Sequence, residues 1–294
     1  MTKSDEHDLG LSHDLDAMRS LDRRHALRMF AGASGFALVG ACGGGSSSGA
    51  VVTPTPTPTV TPTPSPTPTP TSSVSGCIAD PEETAGPYPA DGTNQSGGLT
   101  SNALVSDGIV RDDIRASFLG GSTTVAQGVQ VELTLTLVDA NADCVPLAGY
   151  AVYLWHCDVD GEYSLYGVPD ESYLRGVQTA DENGQVTFKT IFPACYSGRY
   201  PHMHFEVFSS LANATGGRYA VLTSQLAMPA DTCREVYNGN DLYADSISRF
   251  SQTSTDRDNV FGDNSSAQIA QQTPSMTGTV ADGYVASATV GIAT

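Results

Sequence analysis

The feature that most constrains the fold is a strict alternation of apolar and polar residues near the middle of the chain. From position 131 to position 137, every odd-numbered residue is Val or Leu, and every even-numbered residue is Glu or Thr. Successive side chains of a β-strand point to opposite faces, so this pattern places one face in a core and the other in water. It predicts a half-buried antiparallel strand.

Several further runs are β-rich, apolar or alternating, and we find no long amphipathic helix. They occupy residues 151–155, 185–190, 200–208 and 219–226, with two weaker alternating runs between residues 277 and 292. Asn183-Gly184, directly before one of these runs, is a strong hairpin signal. Short strands at this spacing predict a mainly β fold, built as a two-sheet β-sandwich.

Residues 1–41 are typical of an export signal. Arg23-Arg24 resembles a twin-arginine motif, and the apolar stretch that follows, up to residue 41, is shorter than the roughly 20 residues needed to span a bilayer. Residues 39–42 resemble a lipoprotein cleavage box, which would make Cys42 the lipidated first residue; the alternative is an ordinary secretory signal with a chance cysteine. We therefore predict an exported bacterial protein, either secreted or held at the cell envelope through a lipid on Cys42.

Residues 42–76 form a Thr/Pro-rich linker, with Thr-Pro repeats from Val51 to Ser75. Proline lacks a backbone donor and favours polyproline II, so this segment cannot pack a core and is expected to form an extended, disordered stalk. Residues 77–294 are then left as one folded domain.

The charge of the chain excludes some partners. Its formal net charge is -18 and its isoelectric point is about 4.4. A protein that binds phosphates needs clustered Lys and Arg, so nucleic acid is not an expected partner, and neither is electrostatic docking on an anionic membrane. None of the six cysteines forms a Cys-x-x-Cys pair, so a structural zinc site is not expected either.

The stretch around His202-Met-His204 carries the chemistry. On a strand these two histidines project to the same side, while Met203, Phe205 and Val207 project to the other side and are apolar. Imidazole is the commonest protein ligand for metals, and two on one strand form a ready chelate. The alternative is a pair of strand histidines that face solvent.

Two tyrosines accompany this pair. Tyr196 lies six residues before His202 in a loop that contains Gly and Pro, and Tyr163 lies just past the end of the strand predicted at 151–155. A lone strand tyrosine is normally a packing residue with a satisfied hydroxyl. Spacing alone therefore does not select these two as ligands.

Three blocks of the sequence resemble signatures of the intradiol ring-cleavage dioxygenases. The first is Glu83-Thr-Ala-Gly-Pro-Tyr-Pro89, similar to the segment at the mouth of that family's active site. The second runs from Tyr153 to Ser164, and the third from Leu174 to Phe205. Their order also matches, and the resemblance spans most of Cys77 to Leu226. It implies that residues 77–294 form a catalytic domain with the sandwich fold of this family.

The resemblance also implies the site and its cofactor. One Fe(3+) per chain would be held by four side chains: Tyr163, Tyr196, His202 and His204. Arg199 matches an active-site arginine, Gln225 aligns with a glutamine near the substrate, and Tyr196 matches the tyrosine that leaves the metal to take up a substrate proton. The implied partners are a small aromatic diol of the catechol type and dioxygen. Its ring would be cleaved between the two hydroxyl-bearing carbons to a muconate-type diacid, by a monomer or a homodimer.

The residue types suit this chemistry. A phenol has a pKa near about 10, so a tyrosinate at neutral pH needs a strong local cation, which ferric iron supplies. Ferrous oxygenases use two histidines and a carboxylate instead. Two tyrosines with two histidines therefore favour activation of the organic substrate. The sequence departs from the family at two cysteines: Cys195 stands where glycine is common, and Cys233 is an added cysteine. Their coincidence leads us to expect a Cys195–Cys233 disulfide beside the site.

Two alternatives remain open at this point. The chain is either this enzyme or a non-catalytic β-sandwich that binds aromatics, carbohydrate or metal at the cell envelope. A different metalloenzyme could also use His202 and His204 with zinc or copper, in which case His156 is a candidate third ligand. Because His156 lies at an apolar strand end, we expect it to point away from the site.

Overall fold

The computed structural model describes residues 78–96 and 99–294, which all lie in one compact unit. The predictions for the export signal, for a lipid on Cys42 and for the linker at 42–76 lie outside these residues, and so does the predicted domain start at Cys77. No helix in the described part of the chain is both long and apolar enough to cross a membrane.

The described residues form eleven strands and three short α-helices. The strands are β1 (Asp91–Ser96), β2 (Leu99–Asn102), β3 (Gln130–Asp139), β4 (Val145–Pro146), β5 (Ala151–Trp155), β6 (Arg175–Thr179), β7 (Gln185–Ile191), β8 (His202–Phe208), β9 (Leu222–Ala227), β10 (Ser275–Thr279) and β11 (Gly283–Ile292). The helices are α1 (Ala230–Gly239), α2 (Ala244–Phe250) and α3 (Ser266–Gln272).

Two sheets pack face to face, as the sequence predicted. One sheet has the order β10-β11-β3-β4, with β7 also paired to β3, and the other has the order β6-β5-β8-β9. A separate hairpin joins β1 and β2. One detail differs from the expectation for β3: it is antiparallel to β7 and β4 but parallel to β11. Parallel pairing with a strand so distant in sequence leaves no local signal.

The main core lies between the two sheets. The alternating Val and Leu side chains of β3 are all buried there, at 2% exposure or less, against Phe188 of β7 and Phe205 of β8. The turn predicted at Asn183-Gly184 is also confirmed, because Gly184 has a φ of +74° and β7 begins at the next residue. Burial of this apolar face is the main source of stability for such a sandwich.

The outer face of the β6-β5-β8-β9 sheet is not open to water. All seven residues of β8 are buried, on both faces of the strand. A second apolar cluster covers the outer face and combines Tyr153 and Trp155 of β5 with the loop residues Ala90, Leu104 and Tyr163. The two strand histidines therefore lie under a cover of loops, and the solvent-facing alternative for them is wrong.

Candidate metal centre

β8 places His202 and His204 side by side on the covered face. Both are buried, at 1% and 2% exposure. Trp155, the cross-strand neighbour of His204, stacks on its ring at a centroid distance of 5.0 Å and an interplanar angle of 7°. This stacking holds the His204 imidazole in one orientation.

Tyr163 reaches the histidines from the loop that follows β5. Asp158 organises this loop, because its Oδ1 accepts hydrogen bonds from the backbone N–H groups of Asp160 and Glu162 at 3.0 Å each. Its Oδ2 accepts a third from the hydroxyl of Tyr173 at 2.8 Å. The Tyr163 hydroxyl is thereby held 3.2 Å from Nε2 of His204.

Tyr196 lies in the loop between β7 and β8. Residues of the C-terminal helical segment hold this loop by hydrogen bonds to its backbone. The hydroxyl of Tyr237 in α1 donates to the carbonyl of Pro193 at 3.0 Å, and the hydroxyl of Tyr243 donates to the carbonyl of Phe192 at 2.8 Å. The loop also contacts the Tyr163 loop closely. A Cβ on Gly161, whose φ is +90°, would lie 2.9 Å from the Cβ of Tyr196.

The four side chains converge on one point. Nε2 of His202 lies 3.1 Å from Nε2 of His204, 3.1 Å from the Tyr196 hydroxyl and 3.4 Å from the Tyr163 hydroxyl. The two hydroxyl oxygens are 3.4 Å apart. Ligands bound about 2 Å from one ion stand at separations of this size from each other.

The protonation pattern of His202 fits a metal. Nδ1 of His202 lies 2.5 Å from the carbonyl oxygen of Tyr200, which can only accept a hydrogen bond. Nδ1 of His202 therefore carries the proton, and its Nε2 presents a lone pair toward His204 and the two hydroxyls. A carbonyl partner on the far nitrogen is the usual arrangement for a metal-ligating histidine.

The donor set is phenol oxygen and imidazole nitrogen rather than carboxylate or thiolate. Among the described residues, no group of three or more His, Cys, Asp or Glu side chains converges on a metal-sized point. Any metal held by His202 and His204 therefore depends on Tyr163 and Tyr196. Oxygen ligands of this kind suit a hard cation such as Fe(3+) better than they suit the usual zinc sites.

Burial keeps the four groups neutral when no cation is bound. It raises the pKa of Tyr163 well above its usual value and the pKa of Tyr196 to about 12. It likewise lowers the pKa of His202 and the pKa of His204 well below the usual value for histidine. A bound cation reverses this preference for the phenols, because it stabilises the phenolate directly.

Arg199 and Gln225 meet beside the donor atoms. Nη2 of Arg199 donates to Oε1 of Gln225 at 2.7 Å, and Nη1 lies 3.3 Å from Nε2 of His202. The amide of Gln225 is in turn fixed, because Nε2 donates to the carbonyl of Thr84 at 2.8 Å. The structure thus brings together all six residues that the sequence resemblance singled out.

Sequence reasoning missed Asp258, which holds this arrangement in place. Its Oδ2 accepts from Nε of Arg199 at 3.0 Å and from the backbone N–H of Tyr200 at 2.6 Å. Its Oδ1 accepts from the backbone N–H groups of Val260 and Phe261. Asp258 is one of 32 acidic residues in the chain, and nothing in its local pattern sets it apart from the others.

Sequence reasoning also missed Arg175, which links the segment that covers the site to strand β5 and to the loop that carries Tyr163. This buried guanidinium donates to the carbonyl oxygens of Tyr88, Pro89 and Ser164, to the Ser164 hydroxyl, and to the Tyr153 hydroxyl, at 2.8 to 3.0 Å. Tyr88 lies over Tyr163 at a ring-centroid distance of 5.2 Å. Only the tertiary structure reveals this role, because the partners come from three separate segments.

His156 takes no part in the cluster. Its Nδ1 lies 2.8 Å from the carbonyl oxygen of Cys157, and its Nε2 lies 2.6 Å from the hydroxyl of Thr190. Both ring nitrogens are therefore engaged away from His202 and His204. This geometry gives no support to a zinc or copper site with His156 as third ligand.

The expected disulfide between Cys195 and Cys233 is wrong. Both are free thiols buried in the same apolar cluster, and Cys157 is free as well. The Sγ of Cys195 donates to the carbonyl of Arg199 at 3.6 Å, and burial raises the pKa of Cys195 to about 12. A thiol that is buried, protonated and partnered in this way is inert. Cys144 is disulfide-bonded.

Comparison with known proteins found a family match and several structural matches. Residues 121–233 match the model of a protein family described as dioxygenase. The structure is similar to that of an intradiol ring-cleavage dioxygenase from Tetranychus urticae, with 24% identity, a TM-score of 0.55, and coverage of 74% of this chain and 95% of that chain. It also matches the dioxygenase domain of a carbohydrate-binding fusion protein from Streptomyces sp. SirexAA-E, with 19% identity, a TM-score of 0.44, and coverage of 74% and 99%. No curated protein matches in sequence.

The similarity to the Tetranychus urticae enzyme shows a shared fold. It confirms the predicted two-sheet sandwich of this type, and with the family match it confirms the resemblance drawn from the three sequence blocks. The range matched by the family model contains the four donor residues, Arg199 and Gln225.

Proposed function

We propose that this chain, which has the fold of the intradiol ring-cleavage dioxygenases, is a non-haem ferric dioxygenase that cleaves catechol-type aromatics. The carbon–carbon bond between the two hydroxyl-bearing carbons breaks, and both atoms of dioxygen enter the product, a muconate-type diacid. The single observation that carries the proposal is the convergence of two phenol oxygens and two imidazole nitrogens, with five of their six mutual distances between 3.1 and 3.4 Å.

Tyr163, Tyr196, His202 and His204 would hold the iron. When bound, Fe(3+) supplies a Lewis acid that binds the two oxygens of a catechol and draws electron density from its ring. The stacked Trp155 and the carbonyl of Tyr200 keep the two imidazoles oriented for this task. Three of the four ligands are buried, while Tyr196 is partly exposed.

Tyr196 is the donor best placed to exchange a proton with substrate. Tyr196 is partly exposed, whereas Tyr163 is buried at 3% exposure under the ring of Tyr88. The phenolate oxygen of Tyr196 would accept a proton from one catechol hydroxyl, which leaves a catecholate oxygen and a neutral Tyr196 phenol, the form that burial favours. Tyr163 would stay in place.

Arg199 would stabilise the negative charge that develops on the substrate ring. Its Nη1 already lies 3.3 Å from a ligand nitrogen, so a substrate bound at the cluster falls within its reach. A guanidinium stays charged at any physiological pH and is preorganised here by Asp258 and Gln225. Gln225 acts through Arg199 and through its bond to Thr84.

The test is reconstitution of the full-length chain with iron. Concentrated protein loaded with Fe(3+) should be red to burgundy, because of charge transfer from tyrosinate to ferric iron. Catechol should then drive oxygen uptake with the ultraviolet absorption of a muconate product. Protein that binds no iron and stays colourless would contradict the proposal and favour the non-catalytic binding module. The features of residues 1–41 lead us to propose that this activity is exported from the cytoplasm.

A further inference from the structure

We infer that the site accepts catechols that carry no anionic substituent and discriminates against carboxylated ones such as 3,4-dihydroxybenzoate. The inference rests on the proposed function and names the substrate class of that same site. It is carried by the charges of the described residues around the donor cluster. A carboxylate on the ring needs a cation to replace its water shell, and a buried anion without one is strongly disfavoured.

All three nitrogens of Arg199, the cation at the cluster, already have partners, so none is free to bind a ring substituent. Arg199 is buried at 2% exposure, its Nε is bonded to Asp258, and its Nη2 is bonded to Gln225. Its remaining nitrogen, Nη1, faces His202 and therefore the position of the catechol oxygens. The charge of Asp258, 3.0 Å away and fully buried, offsets the charge of the guanidinium. A substituent farther out on the ring meets no free edge of Arg199.

Four other cations are hydrogen-bonded, ion-paired, exposed or in the opposite sheet. Arg175 is buried, and all of its hydrogen bonds go to protein oxygens of the surrounding loops. Arg249 pairs with Asp245 at 3.3 Å. Arg257 is exposed and stands between two acidic residues in sequence. Lys189, the one lysine of the described residues, belongs to β7 in the opposite sheet.

An acidic residue lies in the segment that covers the cluster. Glu83 begins the segment that runs over the cluster and leads to Gly86, where a Cβ would lie 3.3 Å from Cε1 of His204. Burial raises the pKa of Glu83 to about 7, with a smaller contribution from the charge of Asp263, in spite of hydrogen bonds from Asn264 and Gln272 and the charge of Arg199. A region that already disfavours its own carboxylate would disfavour that of a substrate too. Asp160 and Glu162 also lie on the Tyr163 loop, where both are exposed.

The experiment compares two ligands of similar size, 4-methylcatechol and 3,4-dihydroxybenzoate, on the iron-loaded full-length protein. Anaerobic titration of the charge-transfer band gives the dissociation constant without turnover, and oxygen uptake gives kcat/KM. We expect the methyl compound to be favoured at least tenfold in both measurements at low ionic strength. The preference should narrow at 0.5 M salt, because salt screens the repulsion.

Glu83→Gln and its exposed neighbour Glu82→Gln form a matched pair of variants. Glu83→Gln should reduce the preference for the neutral ligand at least threefold, while Glu82→Gln should leave it unchanged. Binding of 3,4-dihydroxybenzoate as tight as that of 4-methylcatechol would overturn the inference and leave the proposed function standing. A band that responds to neither ligand, with no oxygen uptake, would overturn the proposed function and the inference together.

Discussion

Oδ2 of Asp258 accepts a hydrogen bond from Nε of Arg199 at 3.0 Å, and both side chains are almost completely buried. The same oxygen accepts from the backbone N–H of Tyr200, whose carbonyl oxygen fixes the imidazole of His202. One carboxylate thus positions both the arginine beside the cluster and one of its histidines. Asp258 touches none of the reacting atoms and acts as a positioning residue.

Asp258→Asn should destabilise the protein and impair the site. Removing one partner of a buried ion pair leaves the guanidinium uncompensated, at a cost of about 3 kcal/mol in the free energy of unfolding. We also expect at least a tenfold fall in kcat on catechol, because Arg199 loses its fixed orientation. Chemical denaturation and oxygen uptake measure the two effects. The exposed Asp256→Asn serves as control, and equal behaviour of the two variants would refute the role of Asp258.

Tyr163→Phe should abolish most of the visible charge-transfer band and weaken iron binding at least tenfold, because one of two phenolate donors is lost. Iron content after dialysis and the absorption spectrum check this. Tyr219→Phe is the control, since Tyr219 is 47% exposed and its hydroxyl accepts a hydrogen bond from Arg218 at 2.8 Å. A normal band in Tyr163→Phe would remove this residue from the ligand set.

Gly161→Ala should displace Tyr196, and Gly120→Ala is its matched control. Both glycines have a positive φ, +90° and +66°, so both variants carry the strain of roughly 1–2 kcal/mol that a Cβ causes there. Only at Gly161 does the new methyl meet another residue, at 2.9 Å from the Cβ of Tyr196, whereas nothing lies within 4 Å at Gly120. We therefore expect a shifted or weakened charge-transfer band in Gly161→Ala alone. The same spectrum in both variants would contradict this packing.

Stability should fall as the pH rises from 5 to 8, and Asp80 should account for part of the fall. Burial raises the pKa of Asp80 to about 7, and its Oδ1 has no hydrogen-bond partner. The folded carboxyl keeps its proton over a range where the unfolded one, with a pKa of about 4, has lost it. Its contribution is fully present below about pH 4 and is lost as the pH passes through about 7.

Asp80→Asn should flatten that dependence by on the order of 2 kcal/mol between pH 5 and pH 8, as measured by denaturant unfolding at each pH. Glu83, whose pKa is raised to about 7 mainly by burial, should leave a residual slope of the same sign. Asp170→Asn, an exposed substitution, is the control. An unchanged slope in Asp80→Asn would show that Asp80 ionises normally in the folded protein.

The thiols of Cys157, Cys195 and Cys233 should resist alkylation in the native protein and react after unfolding without reductant. All three are free and buried, and burial raises the pKa of each thiol. Mass mapping of a non-reduced digest gives the readout. A peptide linked through Cys195 and Cys233 would restore the disulfide that the structure rules out.

Patterns of neighbouring residues in the sequence predicted much of the architecture. The alternation at residues 131–137 and the hairpin at Asn183-Gly184 report on neighbours along the chain, and the period of a strand turns them directly into faces and turns. The placement of His202 and His204 on one face follows from the same period. Their burial does not, because the loops that cover them come from distant segments, and the histidines looked no different from a solvent-facing pair.

The sequence alone predicted the β-sandwich and the face shared by the two histidines. Through its resemblance to a known family, it also predicted that Tyr163, Tyr196, His202 and His204 would meet with Arg199 and Gln225 beside them. Three features could be seen only in the three-dimensional structure. Asp258 accepts a hydrogen bond from Arg199, Arg175 bonds the covering segment and Ser164 together, and Cys195 and Cys233 are free thiols. The physical reason is sequence distance. Hydrogen bonds and ion pairs between residues tens of positions apart depend on where the loops lie in three dimensions. No periodic pattern in the sequence predicts those positions.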